Sequence, residues 1–288
     1  MSIHSLLVPP DGKFLLSTID PGKTPGFRSK KSAEEKLRND IFELEQLQAK
    51  LYAQGTYALL VIFQAIDTAG KDGAIKHVLT GVNPQGVEVH NFRVPSAEEL
   101  AHDFMWRSMK VLPEQGRIGI FNRSYYEEVL TVRVHPELLV REKLPKSEMT
   151  KNIWKHRYED INAFELYLSR NGIIPVKFHL SISKAEQKRR LLARIEEPDK
   201  NYKIGTADVY ERTFWEDYMK TYEEVIRNTS TTHAPWYVIP SDHKWYTRVM
   251  VADILVKTLK SLDLDFPPIS KEKQKEITKA KRLLMREG

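Results

Sequence analysis

An apolar run that enters a loop of small and polar residues, followed by a helix-forming run, is the feature that most constrains the fold of this chain. The apolar run is Leu59–Phe63, the loop is Gln64–Gly73, and the helical pattern continues over Ala74–Leu79. Small residues allow a backbone to approach an anion closely, the free N–H groups at a helix start attract the anion, and Lys71 adds a mobile positive charge. The pattern therefore predicts a strand, a phosphate-binding loop and a helix. The predicted phosphate contacts are Ala69, Gly70, Lys71, Asp72 and Gly73.

The loop departs twice from the consensus G-x-x-x-x-G-K-[ST] of phosphate-binding loops. Ala65 stands at the first glycine, and Asp72 stands where a hydroxyl would bind magnesium. An ordinary strand-to-helix turn that contains Gly-Lys is therefore an alternative, and the surrounding sequence has to distinguish the two.

Strands and helices alternate along the rest of the chain. Four more short apolar runs predict strands, at Val87–His90, Arg117–Phe121, Ile174–Leu180 and Trp236–Pro240. Longer helical patterns separate them, and two of these patterns begin with a Ser-x-x-Glu capping box, at Ser96–Glu99 and Ser183–Glu186. Such alternation implies a buried parallel sheet that binds ligands at the carboxyl ends of its strands. We therefore expect an α/β fold in which the phosphate loop lies at that edge of the sheet.

The prolines and charges divide the chain into three segments. Residues 1–28 contain four prolines and three glycines and predict an extended arm over the surface. Residues 29–265 form one main domain, because no repeat or low-complexity block divides them, and Ser32 is a candidate N-cap of its first helix. The apolar stripe of that helix consists of Leu37, Ile41, Leu44, Leu47 and Leu51. Residues 266–288 are rich in Lys and Arg and predict a solvated basic helix or tail.

Composition excludes several kinds of site and favours an anionic partner. The chain has no cysteine, which excludes disulfides, thiolate catalysis and zinc sites built on cysteine. The formal net charge of +6 favours a negatively charged ligand. No apolar run approaches the roughly 18 residues of a membrane span, and Met1–Ser5 lack the pattern of a signal peptide. We expect a cytoplasmic protein that binds neither membrane nor nucleic acid.

A second informative stretch is Ile118–Glu128, in which a predicted strand ends in polar residues. Phosphate-loop enzymes usually hold magnesium with an acid at such a strand end, but Asn122 occupies that position here. Asp67 is the candidate metal ligand instead, because a carboxylate so close to bound phosphates requires a cation between them; a turn-forming Asp is the alternative. Arg123 can reach a phosphate with its planar fork, and Arg133 follows a short distance downstream. For either arginine, a surface ion pair is the alternative role.

A third stretch predicts a lid at about residues 184–212. Arg190 and Arg194 are four residues apart and share a helix face. The polar loop Pro198–Gly205 lies between two helical patterns, which is the construction of a mobile lid that closes over phosphates and excludes water. A solvated basic helix is the alternative. The occurrence of all three stretches in a workable order along one sheet favours phosphate chemistry.

Together these residues resemble the family 2 polyphosphate kinases. The matching motifs are Ala65–Gly73, Phe121–Glu127, the lid at Pro198–Lys203, Gly81–Pro84, Asp208 with Arg212, and Ala234–Pro240. The resemblance spans roughly residues 10–265. It implies a three-layer P-loop kinase fold, similar to thymidylate kinase, with a five-stranded parallel sheet and a helical lid. It also implies magnesium-dependent transfer of phosphate between inorganic polyphosphate and nucleotides, by a loop that lacks the usual Ser or Thr.

The resemblance assigns roles to individual residues. It makes Asp67 a metal-associated catalytic carboxylate, Lys71 the phosphate-loop lysine and Arg123 the strand-end arginine. Polyphosphate contacts are implied for Arg133, Arg190, Arg194, Lys200 and Lys203, and nucleotide contacts for Asn122 and Glu127. Asn122 replaces an aspartate found in part of the family, which leaves a second protein ligand to the metal open, and Tyr202 stands where a tryptophan is common. Glu127 resembles the subgroup that acts on both nucleoside monophosphates and diphosphates.

The resemblance predicts a homo-oligomeric phosphotransferase, a dimer or tetramer, that converts AMP to ADP and ADP to ATP reversibly with Mg²⁺ or Mn²⁺, and that also accepts guanine nucleotides. An ATP-dependent nucleotide or nucleoside kinase would share the fold and the loop but use another donor. A non-enzymatic basic protein would bind polyanions in a salt-dependent manner without turnover. Asp67 argues against that last alternative, because an acid within an anion site weakens plain binding. The sequence does not locate a pocket for the nucleobase.

Overall fold

The computed structural model of the protein describes residues 5–287. Residues 1–4, which begin the predicted arm, and Gly288 lie outside the described residues. The described chain forms one sheet of five parallel strands. These are β1 (Ala58–Gln64), β2 (Val87–Asn91), β3 (Ile118–Asn122), β4 (Ile173–Ser181) and β5 (Trp236–Pro240). All five predicted strands are thereby confirmed, each to within one residue at either end.

The strand order is β2-β3-β1-β4-β5, so β1 lies at the centre of the sheet. Every residue of β1 is buried, as expected for a strand covered on both faces. Phe63 near the end of β1 is in register with Asn122 of β3 and with Phe178 of β4. The carboxyl ends of the central strands therefore meet at one edge, where the loop after β1 begins.

Helices cover both faces of this sheet. Within residues 5–287 the α-helices are α1 (Lys30–Gln54), α2 (Lys71–Val78), α3 (Trp106–Met109), α4 (Thr131–Val134), α5 (Ile153–Arg170), α6 (Lys184–Glu196), α7 (Thr206–Glu211), α8 (Trp215–Thr229), α9 (Lys244–Lys260) and α10 (Lys271–Leu284). Short 3₁₀ segments lie at Leu16–Thr18, Pro84–Gly86, Glu99–Ala101, Tyr125–Val129, Pro136–Glu142, Pro198–Lys203 and Arg212–Phe214.

The hydrophobic core has two layers, separated by the sheet. Leu59, Val61 and Phe63 point into the layer formed with α1, α2 and α9, whereas Leu60 and Ile62 point into the layer formed with α5 and α8. This division follows from the alternation of side chains along a strand. It confirms the predicted three-layer α/β architecture.

Two of the predicted helix caps differ from the observed ones. Ser29, not Ser32, caps α1, and its hydroxyl accepts a hydrogen bond from the Ser32 backbone N–H at 3.3 Å. Ser183 caps α6 by accepting from the Glu186 N–H at 3.1 Å, but the return bond of a capping box is missing because the Asp242 carboxylate accepts from the Ser183 N–H at 2.8 Å. The Glu186 carboxylate is thereby free to bind arginines. The Ser96–Glu99 box is complete, with hydrogen bonds of 2.6 and 3.2 Å.

The segments that flank the domain differ in their packing. The N-terminal segment runs antiparallel to the edge strand β5, where the Val8 N–H donates to Trp236 O and the Val238 N–H donates to Leu6 O, both at 2.9 Å. Leu6 and Val8 are buried there. By contrast, every residue of α10 is exposed. Among residues 5–287, no helix combines the length and the apolar character needed to cross a membrane.

Candidate active site

The loop between β1 and α2 has an unusual backbone. Gly70 has a φ of 110°, which favours glycine, and Thr68 has a φ of 65° although it is β-branched. The first hydrogen bond of α2 runs from the Ala74 N–H to Gly70 O at 2.9 Å. The Thr68 hydroxyl is buried and has no hydrogen-bond partner within residues 5–287. Strained backbone of this kind clusters at ligand-binding sites, and it marks this loop as the centre of the site.

Lys71 folds back over the loop that precedes it. Its Nζ donates to Ala65 O at 2.6 Å, and the residue is only 9% exposed. Burial, reinforced by the nearby Arg123 guanidinium, lowers the pKa of Lys71 to about 8. An incoming phosphate would find this cation held at the start of α2, among the free N–H groups of the helix.

Arg123 and Asp67 form an ion pair beside Lys71. Arg123 directly follows β3, has a φ of 65°, and donates its backbone N–H to Phe63 O at 3.0 Å. Its Nη2 donates to Asp67 Oδ1 at 2.8 Å. Burial alone would raise the pKa of Asp67, but the charges of Lys71, Arg123 and Arg194 hold it below its ordinary value. The structure therefore places the three predicted catalytic residues together, with Asp67 as a carboxylate among cations.

Asn122 occupies the strand-end position at which phosphate-loop enzymes usually carry an acidic magnesium ligand. Its amide donates to Asp72 Oδ1 and to Asn91 Oδ1, both at 2.8 Å. The amide therefore ties the first turn of α2 to the ends of β2 and β3. In the described chain, Asn122 is a link between strand ends that also lines the crevice described below.

Glu127 contacts Arg123, whereas Arg133 is held by other residues. The Glu127 carboxylate approaches Arg123 Nη1 to 3.5 Å and accepts from the Thr131 hydroxyl at 2.8 Å. The Arg133 guanidinium is bound by Glu224 and by the Tyr158 hydroxyl. Neither Glu127 nor Arg133 is among the described residues that line the crevice. The structure places Arg133 in a separate ion pair, which differs from the predicted contact with polyphosphate.

Arg190 holds the loop in place and does not extend over it. The side chain is 6% exposed and makes five hydrogen bonds of 2.6–3.0 Å. Its acceptors are the carbonyls of Thr68, Ala69, Ser241 and Asp242 and the carboxylate of Glu186. Since a guanidinium has five N–H donors, none remains for a ligand. This differs from the prediction that Arg190 grips phosphate oxygens, because the residue clamps the loop to α6 and to the end of β5.

Arg194, one helical turn further along α6, is oriented differently. Its Nη1 donates to Lys203 O at 3.0 Å and thereby connects α6 to the 3₁₀ segment Pro198–Lys203 of the predicted lid. Lys200 is paired with Glu197. Arg194, Lys200 and Lys203 all line the crevice. Of the two predicted lid arginines, Arg194 thus keeps most of its donors for a ligand.

The loop opens into a crevice of about 950 Å³. It extends from the loop along α6 and the Pro198–Lys203 segment to the first turns of α9, and Arg93 after β2 lies on its other side. Cations that the sequence analysis did not single out also line it, namely Lys76, Arg93, Arg189, Lys244 and Arg248. A long channel of this charge suits a linear polyanion.

Lys244 and Arg248 extend the basic wall from the first turns of α9. Burial, followed by the charges of Arg190, Lys200, Arg189 and Arg248, lowers the pKa of Lys244. The sequence did contain a signal for these two residues, because they follow β5 at the ligand-binding edge of the sheet. In addition, a cation at a helix start opposes the helix dipole, which makes Lys244 costly unless it binds an anion.

The arrangement fits a magnesium ion that is held mainly by substrate. In residues 5–287 no cluster of three or more His, Cys, Asp or Glu side chains could enclose a metal by itself. Mg²⁺ commonly takes only one or two protein carboxylates and completes its shell with phosphates and water. Asp67 offers one such carboxylate, because Arg123 binds only its Oδ1. The residues present therefore fit a metal that arrives with phosphates.

Comparisons with known proteins show similarity to one enzyme family. The family model described as Polyphosphate kinase 2 matches residues 27–267. The chain is 47% identical over 274 residues to an ADP-polyphosphate phosphotransferase of Rhodopseudomonas palustris, with 93% of this chain and 95% of that protein covered. It is 44% identical over 261 residues to an AMP/ADP-polyphosphate phosphotransferase of Meiothermus ruber, with 90% and 94% covered. A crystal structure of polyphosphate kinase 2 from Arthrobacter aurescens superposes with a TM-score of 0.88 at 39% identity, and covers 100% of this chain and 98% of its own.

Proposed function

This chain belongs to the polyphosphate kinase 2 family, and we propose that it phosphorylates both nucleoside monophosphates and nucleoside diphosphates from inorganic polyphosphate. The names of both relatives describe phosphotransferases that act on polyphosphate and on ADP or AMP/ADP. The acceptor range, the metal and the residue roles are the proposed part. AMP and ADP are the first acceptors to test. The proposal also includes guanine nucleotides as acceptors and the reverse reaction at the same site.

The observation that carries the proposal is the continuity of the basic crevice with the loop. Lys71 and Arg123 lie at one end, while Arg194, Lys203 and Arg248 line the channel that leads away. A linear phosphate chain could lie along this channel with its terminal phosphate beside Lys71. A small donor such as ATP would leave most of these cations without a partner.

Phosphoryl transfer needs in-line placement and neutralisation of charge, with little covalent chemistry from the protein. Lys71 and Arg123 would neutralise the charge that develops on the transferring group. Arg190 would act indirectly by keeping the loop carbonyls of Thr68 and Ala69 in place. Closure of the lid over the crevice would exclude water and so prevent hydrolysis of the donor.

We assign Mg²⁺ to the carboxylate of Asp67, with Mn²⁺ as a substitute. The ion would supply positive charge that screens the phosphates from Asp67 and from each other. Asp67→Asn should therefore lose most of its activity, and excess Mg²⁺ should restore little of it. Direct Mn²⁺ binding, followed by electron paramagnetic resonance in the presence of polyphosphate, gives a second readout. Unchanged Mn²⁺ affinity in Asp67→Asn would move the metal ligand elsewhere.

Glu127 supports the broad acceptor range. A monophosphate has fewer oxygens to hold than a diphosphate, so its placement depends more on the orientation of Arg123. Glu127 contacts Arg123 at 3.5 Å and thereby restricts that orientation. The name of the Meiothermus ruber relative, which includes both AMP and ADP, is consistent with this acceptor range.

The direct test is to incubate the protein with Mg²⁺, polyphosphate and either AMP or ADP, without ATP, and to separate the nucleotides by chromatography. We expect ADP and ATP from AMP, and ATP from ADP. Lys71→Ala is the negative control, because it removes the loop cation and should abolish turnover while leaving thermal unfolding nearly unchanged. Product formation only when ATP replaces polyphosphate would favour an ATP-dependent kinase. Binding without any turnover would favour a polyanion-binding protein.

A further inference from the structure

The exposed helix α10 carries a row of basic side chains along one side. Lys271, Lys275, Lys279 and Arg282 recur at spacings of four, four and three residues, so they lie within one narrow stripe. All four are exposed, and none forms an ion pair within residues 5–287. At 1.5 Å per residue the stripe is about 17 Å long. We call these four residues the basic stripe.

The acidic residues of α10 lie outside the basic stripe. At 100° per residue, Glu272 and Glu276 fall beside it on the helix surface. Glu276 is paired with Lys273, which lies off the stripe, at 2.9 Å. The cations of the basic stripe therefore form no ion pair within residues 5–287 and recur about once per helical turn, which suits a linear polyanion more than a compact anion.

The opposite side of α10 does not favour a lipid partner. The apolar residues away from the basic stripe are Ile277, Ala280, Leu283 and Leu284, and α10 contains no aromatic residue. Helices that lie in a membrane interface bury a wide apolar face that commonly includes Trp or Phe. The apolar side of α10 has one alanine among its four apolar residues and no aromatic anchor, so it offers less area than such a face.

We propose that the basic stripe is an auxiliary docking site for inorganic polyphosphate, separate from the crevice, which holds the distal part of a long chain while its end reacts. The inference rests on the proposed function, because it takes polyphosphate as the substrate. None of the described residues of α10 lines the crevice, so the stripe adds contacts only for chains long enough to reach both. A second contact of this kind raises the effective concentration of the reacting end without altering the chemistry.

The test compares donors of two lengths with ADP as the acceptor. The full-length variant with all four stripe residues replaced by Gln should show a KM for a polyphosphate of about one hundred phosphates that is raised about tenfold. Its KM for tripolyphosphate and its kcat with either donor should match the wild type. The dependence of the long-chain KM on salt should weaken by about 0.7 in log–log slope per cation that contacts the chain, as for single-stranded polyanions.

The helix itself provides a matched control. Lys275→Gln/Lys279→Gln removes two charges from the stripe, and Lys273→Gln/Lys281→Gln removes two charges of the same type from elsewhere on α10. Only the first pair should raise the long-chain KM. Equal effects of the two pairs would mean that net charge alone acts, and would overturn the proposal. Circular dichroism of each variant verifies that the helix content is retained.

Other anionic partners are outcomes of the same experiment. If the stripe variants lose binding to an unstructured RNA or to phosphatidylserine vesicles while the long-chain KM stays at the wild-type value, the stripe serves another partner and the proposal fails. A wild-type protein that uses neither donor length would instead refute the proposed function. A wild-type protein that uses both lengths, with a long-chain KM that does not depend on the stripe, would refute the docking site alone.

Discussion

Replacing Arg190 by Met should lower thermal stability and turnover together, whereas the same change at Arg194 should leave stability nearly unchanged and raise the KM for polyphosphate. The two arginines are one helical turn apart on α6, and sequence spacing alone treats them as equivalent. The structure separates them, because Arg190 is buried with five hydrogen bonds to protein acceptors and Arg194 lies partly exposed along the crevice.

The loss of stability expected for Arg190→Met follows from the hydrogen-bond acceptors that Arg190 binds. Arg190→Met leaves four backbone carbonyls without a donor, and each costs about 1 kcal/mol because water in the open crevice compensates part of the loss. The Glu186 carboxylate keeps Arg189, whose hydrogen bonds are the largest reason that the pKa of Glu186 is lowered to about 2. The four carbonyls together therefore cost about 3–5 kcal/mol. At about 2 °C per kcal/mol for a chain of this size, the Tm should fall by about 6–10 °C.

The assay combines thermal unfolding with steady-state kinetics on the same preparations. In Arg190→Met, the loop carbonyls lose their clamp, and kcat should fall on the order of a hundredfold, as expected for a displacement of about 1 Å. Arg190→Lys should not rescue, because an ammonium cannot reproduce the planar fork. If Arg190→Met keeps the wild-type Tm and Arg190→Lys restores the wild-type KM for polyphosphate, Arg190 does not hold the loop in place. It would then contact phosphate directly.

Three further predictions concern charged residues in the crevice and beside it. Because burial and Arg123 lower the pKa of Lys71 to about 8 and only the ammonium attracts phosphate, kcat/KM for polyphosphate should fall with rising pH, by about thirtyfold at pH 9.5. Lys71→Arg keeps its charge and should abolish this limb of the profile; if the limb persists, another group titrates. Glu127→Asn should reduce AMP phosphorylation about tenfold or more with little effect on ADP, because Glu127 orients Arg123 and a hydrogen bond to a charged group contributes about 1.5–3 kcal/mol; parallel loss of both activities would limit Glu127 to a structural role. Lys244→Gln and Arg248→Gln should each raise the KM for polyphosphate and weaken its salt dependence, whereas Lys257→Gln at the far end of α9 is the control and should change neither.

The strands could be located from the sequence because each one is a local feature. Short length, flanking turn residues and β-branched or aromatic side chains distinguish an apolar run that forms a strand from a buried helix, and all five strands were predicted to within one residue. The loop at Gln64–Gly73 was recognisable for the same reason, since its small residues, its lysine and the helix that follows are adjacent in the chain. Local patterning also misplaced the cap of α1 by three residues, because Ser29 and Ser32 are both competent caps and the observed helix already begins at Lys30.

The side-chain arrangement of the site depends on contacts between distant segments. Alternating strands and helices permit many strand orders, and only the folded sheet brings the end of β5 beside the loop after β1. That proximity allows Arg190 to bind the carbonyls of Ser241 and Asp242, and it adds Lys244 and Arg248 to the crevice. A helical period of four residues places two arginines on one face, but whether a guanidinium turns toward protein carbonyls or toward solvent depends on which acceptors the neighbouring loops present. The sequence by itself thus determined the strands, the loop and the phosphate chemistry, while the tertiary structure decided which cations remain available to a phosphate chain, because hydrogen-bond partners far apart in sequence compete for them.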